Sequence, residues 1–160
     1  MNMTNKKILS ETKNILWVDD DVDKPALKPD RDKLESRNCH IVEATRPDVF
    51  FEIIKDDSLK IDCIIIDISL SCDKLGIANT SNGTKTGIIL IKKLKETRKY
   101  QNIPLIVYSV IAEAESKTFC ERIGCPNLLD DIPYWGKSIR SKNFADNVVE
   151  ILEPINDYND

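Results

Sequence analysis

The sequence is short of glycine and histidine and has no long apolar run, and each shortage excludes a class of protein. Five glycines occur in 160 residues, and no Gly-x-Gly-x-x-Gly turn follows the first apolar run, which argues against a dinucleotide-binding enzyme. His40 is the only histidine, and the five cysteines include no Cys-x-x-Cys pair, so a zinc site is not expected. Residues 1–14 are polar, so neither a signal peptide nor a membrane span is expected.

The charge and cysteine content are typical of a single cytoplasmic domain. Acids outnumber bases to give a formal net charge of -4, and the two signs are mixed along the chain, so no basic patch for nucleic acid is expected. Scattered cysteines without an export signal are interpreted as reduced thiols. A chain of 160 residues with 41% hydrophobic residues has room for one domain with its own core.

Short apolar runs alternate with segments of helical spacing. The predicted strands are residues 15–18, 40–44, 61–68, 103–110 and a weaker one between 127 and 136. The predicted helices are residues 30–37, 47–55, 87–96, 113–123 and a final stripe over 144–155. Short runs rich in Ile and Val are typical of strands that are covered on both faces. The alternation therefore predicts an α/β fold, a parallel sheet with helices on both sides.

Acidic residues follow two of the predicted strands where each strand ends. Asp19 and Asp20 come directly after the first strand, and Asp67 closes the apolar centre of the third. Ligands of open α/β sheets bind at this edge, and clustered carboxylates need a cation or a protonated member. All-oxygen ligation favours Mg²⁺. Three further acids are interpreted as solvated surface residues: Asp21, Asp23 and Asp62.

Two more polar residues lie where the fourth and fifth strands end. Ser109 closes the fourth run, and Lys137 follows the fifth region. Each is unremarkable by itself, because serine favours turns and lysine favours the surface. Together with the acids they supply an acid nucleophile, a metal, a hydroxyl donor and a cation, which are the groups that phosphoryl transfer requires.

The ordered set of these residues resembles the CheY-like receiver domains of two-component response regulators, over residues 15–152. The family's acidic pair at the end of strand 1 is matched here by Leu16-Trp17-Val18-Asp19-Asp20. The family's phosphoacceptor at the end of strand 3 is matched by Ile64-Ile65-Ile66-Asp67. The glycine and apolar residues that begin helix 3 in the family are matched here by Gly87-Ile88-Ile89-Leu90-Ile91. The family's strand 4, with the hydroxyl residue at its end, is matched by Ile103-Pro104-Leu105-Ile106-Val107-Tyr108-Ser109.

This resemblance implies a flavodoxin-like, doubly wound sheet of five strands in the order 2-1-3-4-5, with five helices. It implies that Asp67 is the phosphoacceptor, and that Ser109 and Lys137 bind the phosphoryl group. Tyr134 matches the aromatic residue that swings inward on activation. The implied ligands of Mg²⁺ are Asp19, Asp20, Asp67 and the backbone carbonyl of Ser69.

The resemblance also implies partners and limits. The phosphoryl donor would be a sensor histidine kinase or a histidine phosphotransfer protein, and the signal would pass to a downstream protein. We expect no enzyme activity beyond autocatalytic phosphorylation and slow self-dephosphorylation, no direct contact with nucleic acid or membrane, and a monomer or weak dimer. The expected organisation is a polar segment over 1–14, the receiver domain over 15–153 and a tail over 154–160.

Four positions depart from the family pattern. Ser138 and Ser71 stand where proline is usual, and Val110 stands where a small residue is common and is expected to crowd the phosphoryl pocket. Residues 71–86 form a long connection rich in Ser, Asn, Thr and Gly. This insertion is interpreted either as a lid or docking loop over the site or as a tolerated insertion without a role.

Two other classes of function remain open. A pseudo-receiver would use the same fold as a phosphorylation-independent interaction module, and Val110 and Ser138 favour it. A metal-dependent phosphatase or nuclease would also use clustered acids. However, Asp67-Ile68-Ser69 lacks the second aspartate of an Asp-x-Asp phosphatase motif, and a nuclease reading leaves Ser109 and Lys137 without a role.

Overall fold

The computed structural model describes residues 7–70, 83–137 and 143–153, which contain a parallel sheet of five strands. The strands lie in the order β2-β1-β3-β4-β5, and each neighbouring pair is parallel. Their bounds are β1 (Lys13–Val18), β2 (Cys39–Ala44), β3 (Cys63–Ile66), β4 (Leu105–Ser109) and β5 (Tyr134–Gly136). The predicted fold class and strand order are confirmed.

The described residues contain five α-helices, of which four connect successive strands and the last follows β5. They are α1 (Lys28–Glu35), α2 (Pro47–Lys55), α3 (Thr86–Glu96), α4 (Glu113–Arg122) and α5 (Phe144–Leu152). A 3₁₀ helix, Arg98–Tyr100, follows α3. None of the helices in the described ranges has the length and apolar content needed to cross a bilayer.

The ends of some helices and strands differ from the predicted ends. A proline determines the end in the helices, and the extent of hydrogen-bonded pairing determines it in the strands. Helix α1 begins before Pro29, because proline is tolerated in the first helical turn, where its missing N–H is not needed. Helix α5 ends at Leu152 and not at residue 155, because Pro154 cannot continue the helix. The third and fourth strands are shorter than their apolar runs, since an apolar run marks burial and not the extent of pairing.

The sheet divides the core into two layers. On one side, helices α2, α3 and α4 cover one set of strand residues, which includes Leu16, Val18, Ile64, Ile66 and Val107. On the other side, α1 and α5 cover the alternate set, which includes Ile15, Trp17, Cys63, Ile65 and Tyr108. We call these the α2/α3/α4 side and the α1/α5 side. Because both faces are covered, β1 and β3 read as continuous apolar runs.

Several of the sequence interpretations concern positions outside the described residues. These positions are Ser71 and Ser138, residues 71–82 of the insertion and residues 154–160 of the tail. The two interpretations of the insertion and the assignments at Ser71 and Ser138 therefore stay predictions.

Candidate functional site

The register of the central strands brings two of the predicted acids side by side. Val18 of β1 pairs with Ile66 of β3, and the Asp67 N–H donates to the Val18 carbonyl at 2.8 Å. Asp19 and Asp67 are the next residues along each strand, so both lie at the carboxyl edge of the sheet. Both are buried, at 0% and 3% exposure.

Lys137 joins these two carboxylates. Its Nζ donates to Asp19 Oδ2 at 2.6 Å and to Asp67 Oδ2 at 2.8 Å. The backbone N–H of Lys137 donates to the Ser109 carbonyl at 2.9 Å, which continues the pairing of β5 with β4 by one step. The edge of the sheet thus fixes the backbone from which the ammonium reaches across to the acids.

The second oxygen of Asp67 accepts two hydrogen bonds. Ser109 Oγ donates to Asp67 Oδ1 at 2.6 Å, and the Ser69 N–H donates to the same oxygen at 3.1 Å. The Ile111 N–H donates to Ser109 Oγ at 3.2 Å, which fixes the direction of the hydroxyl. The structure therefore brings together Asp19, Asp67, Ser109 and Lys137, as the sequence predicted.

The electrostatics of this edge follow from its burial. Burial, followed by the charge of Asp67, raises the pKa of Asp19 from 3.8 to about 6, against the opposing effect of Lys137. Burial, followed by the charges of Asp21 and Asp67, also raises the pKa of Asp20. Burial lowers the pKa of Lys137, but the charges of Asp67 and Asp19 outweigh it and raise the pKa overall. The acids repel one another and stabilise a cation.

The residues present fit a divalent cation. Carboxylate oxygens of Asp19, Asp20 and Asp21 lie within 4.8 Å of one another, and oxygen donors of this kind are the ones that Mg²⁺ prefers. Asp21 was interpreted as a solvated surface acid. It is exposed and pairs with Lys24 at 3.7 Å, but its carboxylate belongs to this group, which sequence reasoning missed.

Gly87 allows the backbone of residue 67 to lie against the start of α3. The Gly87 N–H donates to the Ile68 carbonyl at 2.8 Å. A Cβ atom at position 87 would lie 2.1 Å from the Asp67 carbonyl oxygen and 2.7 Å from the Ile68 Cα. Any larger residue would therefore displace the backbone that carries Asp67.

Tyr134 contacts the beginning of α4 through its hydroxyl. The hydroxyl donates to the Ile111 carbonyl at 2.6 Å and lies 2.8 Å from Ser116 Oγ. The side chain is half-buried on the α2/α3/α4 side, and burial is the main cause that raises the pKa of Tyr134 to about 12. Sequence reasoning singled out Tyr134 but missed Ser116, its partner on α4.

Tyr108 is a second tyrosine beside the site, and sequence reasoning gave it no role. Its ring lies 5.8 Å from Lys137 Nζ and stacks on Phe144 of α5 at 4.0 Å. Its hydroxyl donates to Asp30 Oδ2 of α1 at 2.8 Å, and burial and that bond raise its pKa. The signal available was a tyrosine within an otherwise aliphatic strand, one residue before Ser109.

Two expectations concern single side chains. Val110 is 63% exposed, and its expected crowding of the phosphoryl pocket stays a prediction. Asp62 has a side chain that is only 12% exposed, and Asp62 Oδ2 accepts a hydrogen bond from the Asn14 N–H at 2.8 Å. Asp62 thus fixes the start of β3 and is not a solvated surface acid.

The fold is similar to that of solved receiver domains. No protein-family model matches the sequence, and neither does any curated protein. A CheY-like receiver domain protein from Methanospirillum hungatei JF-1 is 20% identical, with 88% of this chain and 94% of that chain covered and a TM-score of 0.61.

Two further structures give the same result. A two-component response regulator from Clostridium difficile is 21% identical, with 88% of this chain and 95% of that chain covered and a TM-score of 0.61. The Mn²⁺-bound form of response regulator Rcp1 is 18% identical, with 90% and 97% covered and a TM-score of 0.62. This chain therefore has the receiver-domain fold.

Proposed function

We propose that this chain is the phosphoacceptor receiver of a two-component or phosphorelay system, in which Asp67 takes a phosphoryl group from a phosphohistidine. One observation carries the proposal. Asp67 is held between Lys137 Nζ on one oxygen and Ser109 Oγ on the other. A nucleophilic carboxylate flanked by a cation and a hydroxyl donor matches the charge that a transferred phosphoryl group carries.

The transfer step follows from this arrangement. A carboxylate oxygen of Asp67 attacks the phosphorus in line, the new O–P bond forms, and the N–P bond to the donor imidazole breaks. Lys137 then shifts a hydrogen bond from Asp67 to a phosphoryl oxygen, and Ser109 Oγ donates to another. Both donors are already in place, so little reorganisation is required.

A divalent cation belongs to the same proposal. Asp19, Asp20, Asp67 and the Ser69 carbonyl would hold Mg²⁺, which when bound supplies positive charge to the phosphoryl oxygens. The raised pKa values of Asp19 and Asp20 support this assignment, because they reflect carboxylates that a cation would stabilise in the ionised form. The relative Rcp1 has been solved with Mn²⁺ bound.

The output proceeds through the hydroxyl network at the start of α4. When Ser109 turns from Asp67 to the phosphoryl group, the Ile111 N–H that donates to Ser109 Oγ moves with it. The Ile111 carbonyl is one of the two partners of the Tyr134 hydroxyl. Phosphorylation is thereby coupled to Tyr134 and to Ser116 of α4, a local charge change that biases a two-state element.

The proposed partners follow from this role. A sensor histidine kinase or a histidine phosphotransfer protein donates the phosphoryl group, and a second protein reads the altered α4 region. Hydrolysis of the acyl phosphate resets the switch, and the chain acts on no other substrate. We propose that it works as a monomer or weak dimer in the cytoplasm.

The test is labelling by acetyl phosphate in the presence of Mg²⁺. The unaltered chain is expected to gain one phosphoryl group, and Asp67→Asn is expected to gain none. Asp62→Asn is the matched control, because it makes the same substitution in the same β3 region while the amide oxygen can still accept from Asn14. Labelling of Asp67→Asn at the parent level would refute the assignment, and an unlabelled parent would favour a pseudo-receiver.

A further inference from the structure

We propose that Cys120 and Cys125 form an oxidisable dithiol site at the C-terminal end of α4, which a hydroperoxide closes to an intramolecular disulfide. The site lies away from the acids of the sheet edge. It does not depend on the phosphoacceptor role, so either proposal can fail without the other.

The end of α4 has the hydrogen bonds of a Schellman motif. The Cys125 N–H donates to the Cys120 carbonyl at 2.9 Å, and the Gly124 N–H donates to the Glu121 carbonyl at 3.1 Å. Gly124 has a φ of 79°, the left-handed conformation that this motif requires. The motif places residues 120 and 125 opposite each other across the helix end.

This backbone geometry brings the two cysteines within reach of a disulfide. A hydrogen bond of 2.9 Å joins Cys125 N to the Cys120 carbonyl oxygen. With the Cα–C, C=O and N–Cα bonds of about 1.5, 1.2 and 1.5 Å added, the two Cα atoms would be about 7 Å apart along a straight path. Any bend in this path shortens the separation into the range of about 4.4–6.8 Å that disulfides span. The side chains at these two positions of a Schellman motif commonly contact each other, and both belong to the same apolar cluster.

The two thiols differ in access, which sets the order of the chemistry. Cys120 is 0% exposed, whereas Cys125 is half-buried. The Cys125 thiolate attacks the terminal oxygen of the hydroperoxide, forming a sulfenic acid and releasing an alcohol, or water from hydrogen peroxide. The Cys120 sulfur then attacks Cys125 Sγ, the S–O bond breaks, and water leaves with the thiol proton. Two thiols are oxidised and one peroxide is reduced.

The other described cysteines provide an internal comparison. Cys39 lies on β2 and Cys63 on β3, and β1 separates these strands in the sheet. Two strand spacings amount to about 9.6 Å, which is beyond disulfide reach. Both are buried, at 5% and 0% exposure. The geometry therefore selects Cys120 and Cys125 among the four cysteines that the structure describes.

The sequence gives a direct readout of this disulfide. Trypsin cleaves after Lys117, Arg122 and Lys137, so Cys120 and Cys125 fall on separate peptides, 118–122 and 123–137. Hydrogen peroxide is added to the full chain, free thiols are then blocked, and the denatured protein is digested without reductant. Mass spectrometry is expected to find these two peptides linked, and a reductant is expected to separate them.

Variants distinguish a specific pair from general oxidation. Cys125→Ser and Cys120→Ser are expected to abolish the linked peptide, whereas Cys63→Ser and Cys72→Ser are expected to leave its yield unchanged. Peroxide treatment that yields only over-oxidised Cys125, or that links Cys125 to a cysteine other than Cys120, would overturn the proposal. Cys125→Ser alters a half-buried residue, and unchanged thermal unfolding of this variant verifies that loss of the link is not loss of the fold.

Discussion

The two sides of the sheet hold their tyrosines in different ways. Tyr108 is 5% exposed on the α1/α5 side, with its ring stacked on Phe144 at 4.0 Å and tilted against Trp17 at 6.3 Å. Tyr134 is half-buried on the α2/α3/α4 side, and its hydroxyl bonds to Ser116 and to the Ile111 carbonyl. Tyr108 is fixed by packing and by a hydrogen bond to the carboxylate of Asp30, whereas Tyr134 is held by hydrogen bonds to neutral groups that can be exchanged.

This difference indicates which side responds to phosphorylation. Close-packed aromatic rings can adopt a second arrangement only if the whole cluster repacks, which requires a large free energy. Hydrogen bonds between hydroxyl and carbonyl groups contribute only about 1 kcal/mol each, so a charge change at Asp67 can redistribute them. We therefore expect the α1/α5 side to act as a fixed support and the start of α4 to act as the moving part.

The largest expected effect is on the aromatic cluster of the α1/α5 side. Phe144→Ala removes a fully buried ring that contacts Tyr108, Trp17 and Trp135. It is expected to lower the free energy of unfolding by about 3–5 kcal/mol, as measured by urea denaturation. The control Phe51→Ala, at a half-buried ring on α2, is expected to lower the free energy of unfolding by less. An equal loss in the two variants would mean that the aromatic cluster does not hold the α1/α5 side more firmly than ordinary packing does.

The second-largest effect is expected at the carboxyl edge of the sheet, where Asp19 makes the stability depend on pH. Asp19 has a pKa raised from 3.8 to about 6, so the folded state holds a proton that the unfolded chain has released. In the absence of metal, stability is then expected to fall as the pH rises from about 4 to above 6, by about 3 kcal/mol. Asp19→Asn should remove most of this dependence and leave the smaller contribution of Asp20, whose pKa is also raised. Urea denaturation at several pH values would measure the change. Mg²⁺ should also remove the pH dependence of stability. A pH dependence of unchanged size in Asp19→Asn and in the presence of Mg²⁺ would show that Asp19 is not its cause.

A smaller effect is expected from the hydroxyl of Tyr108. Tyr108→Phe keeps the stacked ring but removes the hydrogen bond to the carboxylate of Asp30. Hydrogen bonds to charged groups contribute about 1.5–3 kcal/mol, so urea denaturation should show a loss in this range. The double variant with Asp30→Asn should lose little more, since both changes remove one interaction. Additive losses would show that the two groups act separately.

The smallest effect is expected at Tyr134. Tyr134→Phe removes two neutral hydrogen bonds, to Ser116 and to the Ile111 carbonyl, each of which contributes about 0.5–1.5 kcal/mol. Because the side chain is half-buried, water can replace part of this loss, and the stability should fall by about 1–2 kcal/mol. Hydrogen exchange of the backbone N–H groups of α4 should increase, while exchange in α5 stays unchanged. If Tyr134→Phe costs as much as Tyr108→Phe, or if α5 exchanges faster as well, the contrast between the two sides is wrong.

The sequence predicted the parts of the site that end apolar strands. Asp19 and Asp67 each follow a buried run, Ser109 closes one, and Lys137 follows the half-buried β5. Parallel strands carry such residues to one edge whatever the details of packing. The strand order came from the family resemblance, because apolar periodicity shows burial but does not show which strands are neighbours. The five elements of each type were also found, because short apolar runs mark strands that are covered on both faces and helical spacing marks helices.

The pairings across the fold could not be predicted in this way. Tyr108 and Asp30 lie 78 positions apart, and Tyr134 and Ser116 meet only because β5 lies beside β4 at the start of α4. Asp21 was set aside since an exposed acid in a turn is ordinary, and its proximity to Asp19 and Asp20 depends on the loop conformation. Such contacts require the three-dimensional arrangement of the elements as well as their identity.

The central claim is that Asp67 accepts a phosphoryl group with the help of a divalent cation. Tandem mass spectrometry after acetyl phosphate treatment, with and without Mg²⁺, tests it most directly because it locates the modified residue. The phosphoryl group is expected on Asp67 alone, and only when Mg²⁺ is present. A label on another residue, or equal labelling of Asp67 after the metal has been chelated, would contradict the account.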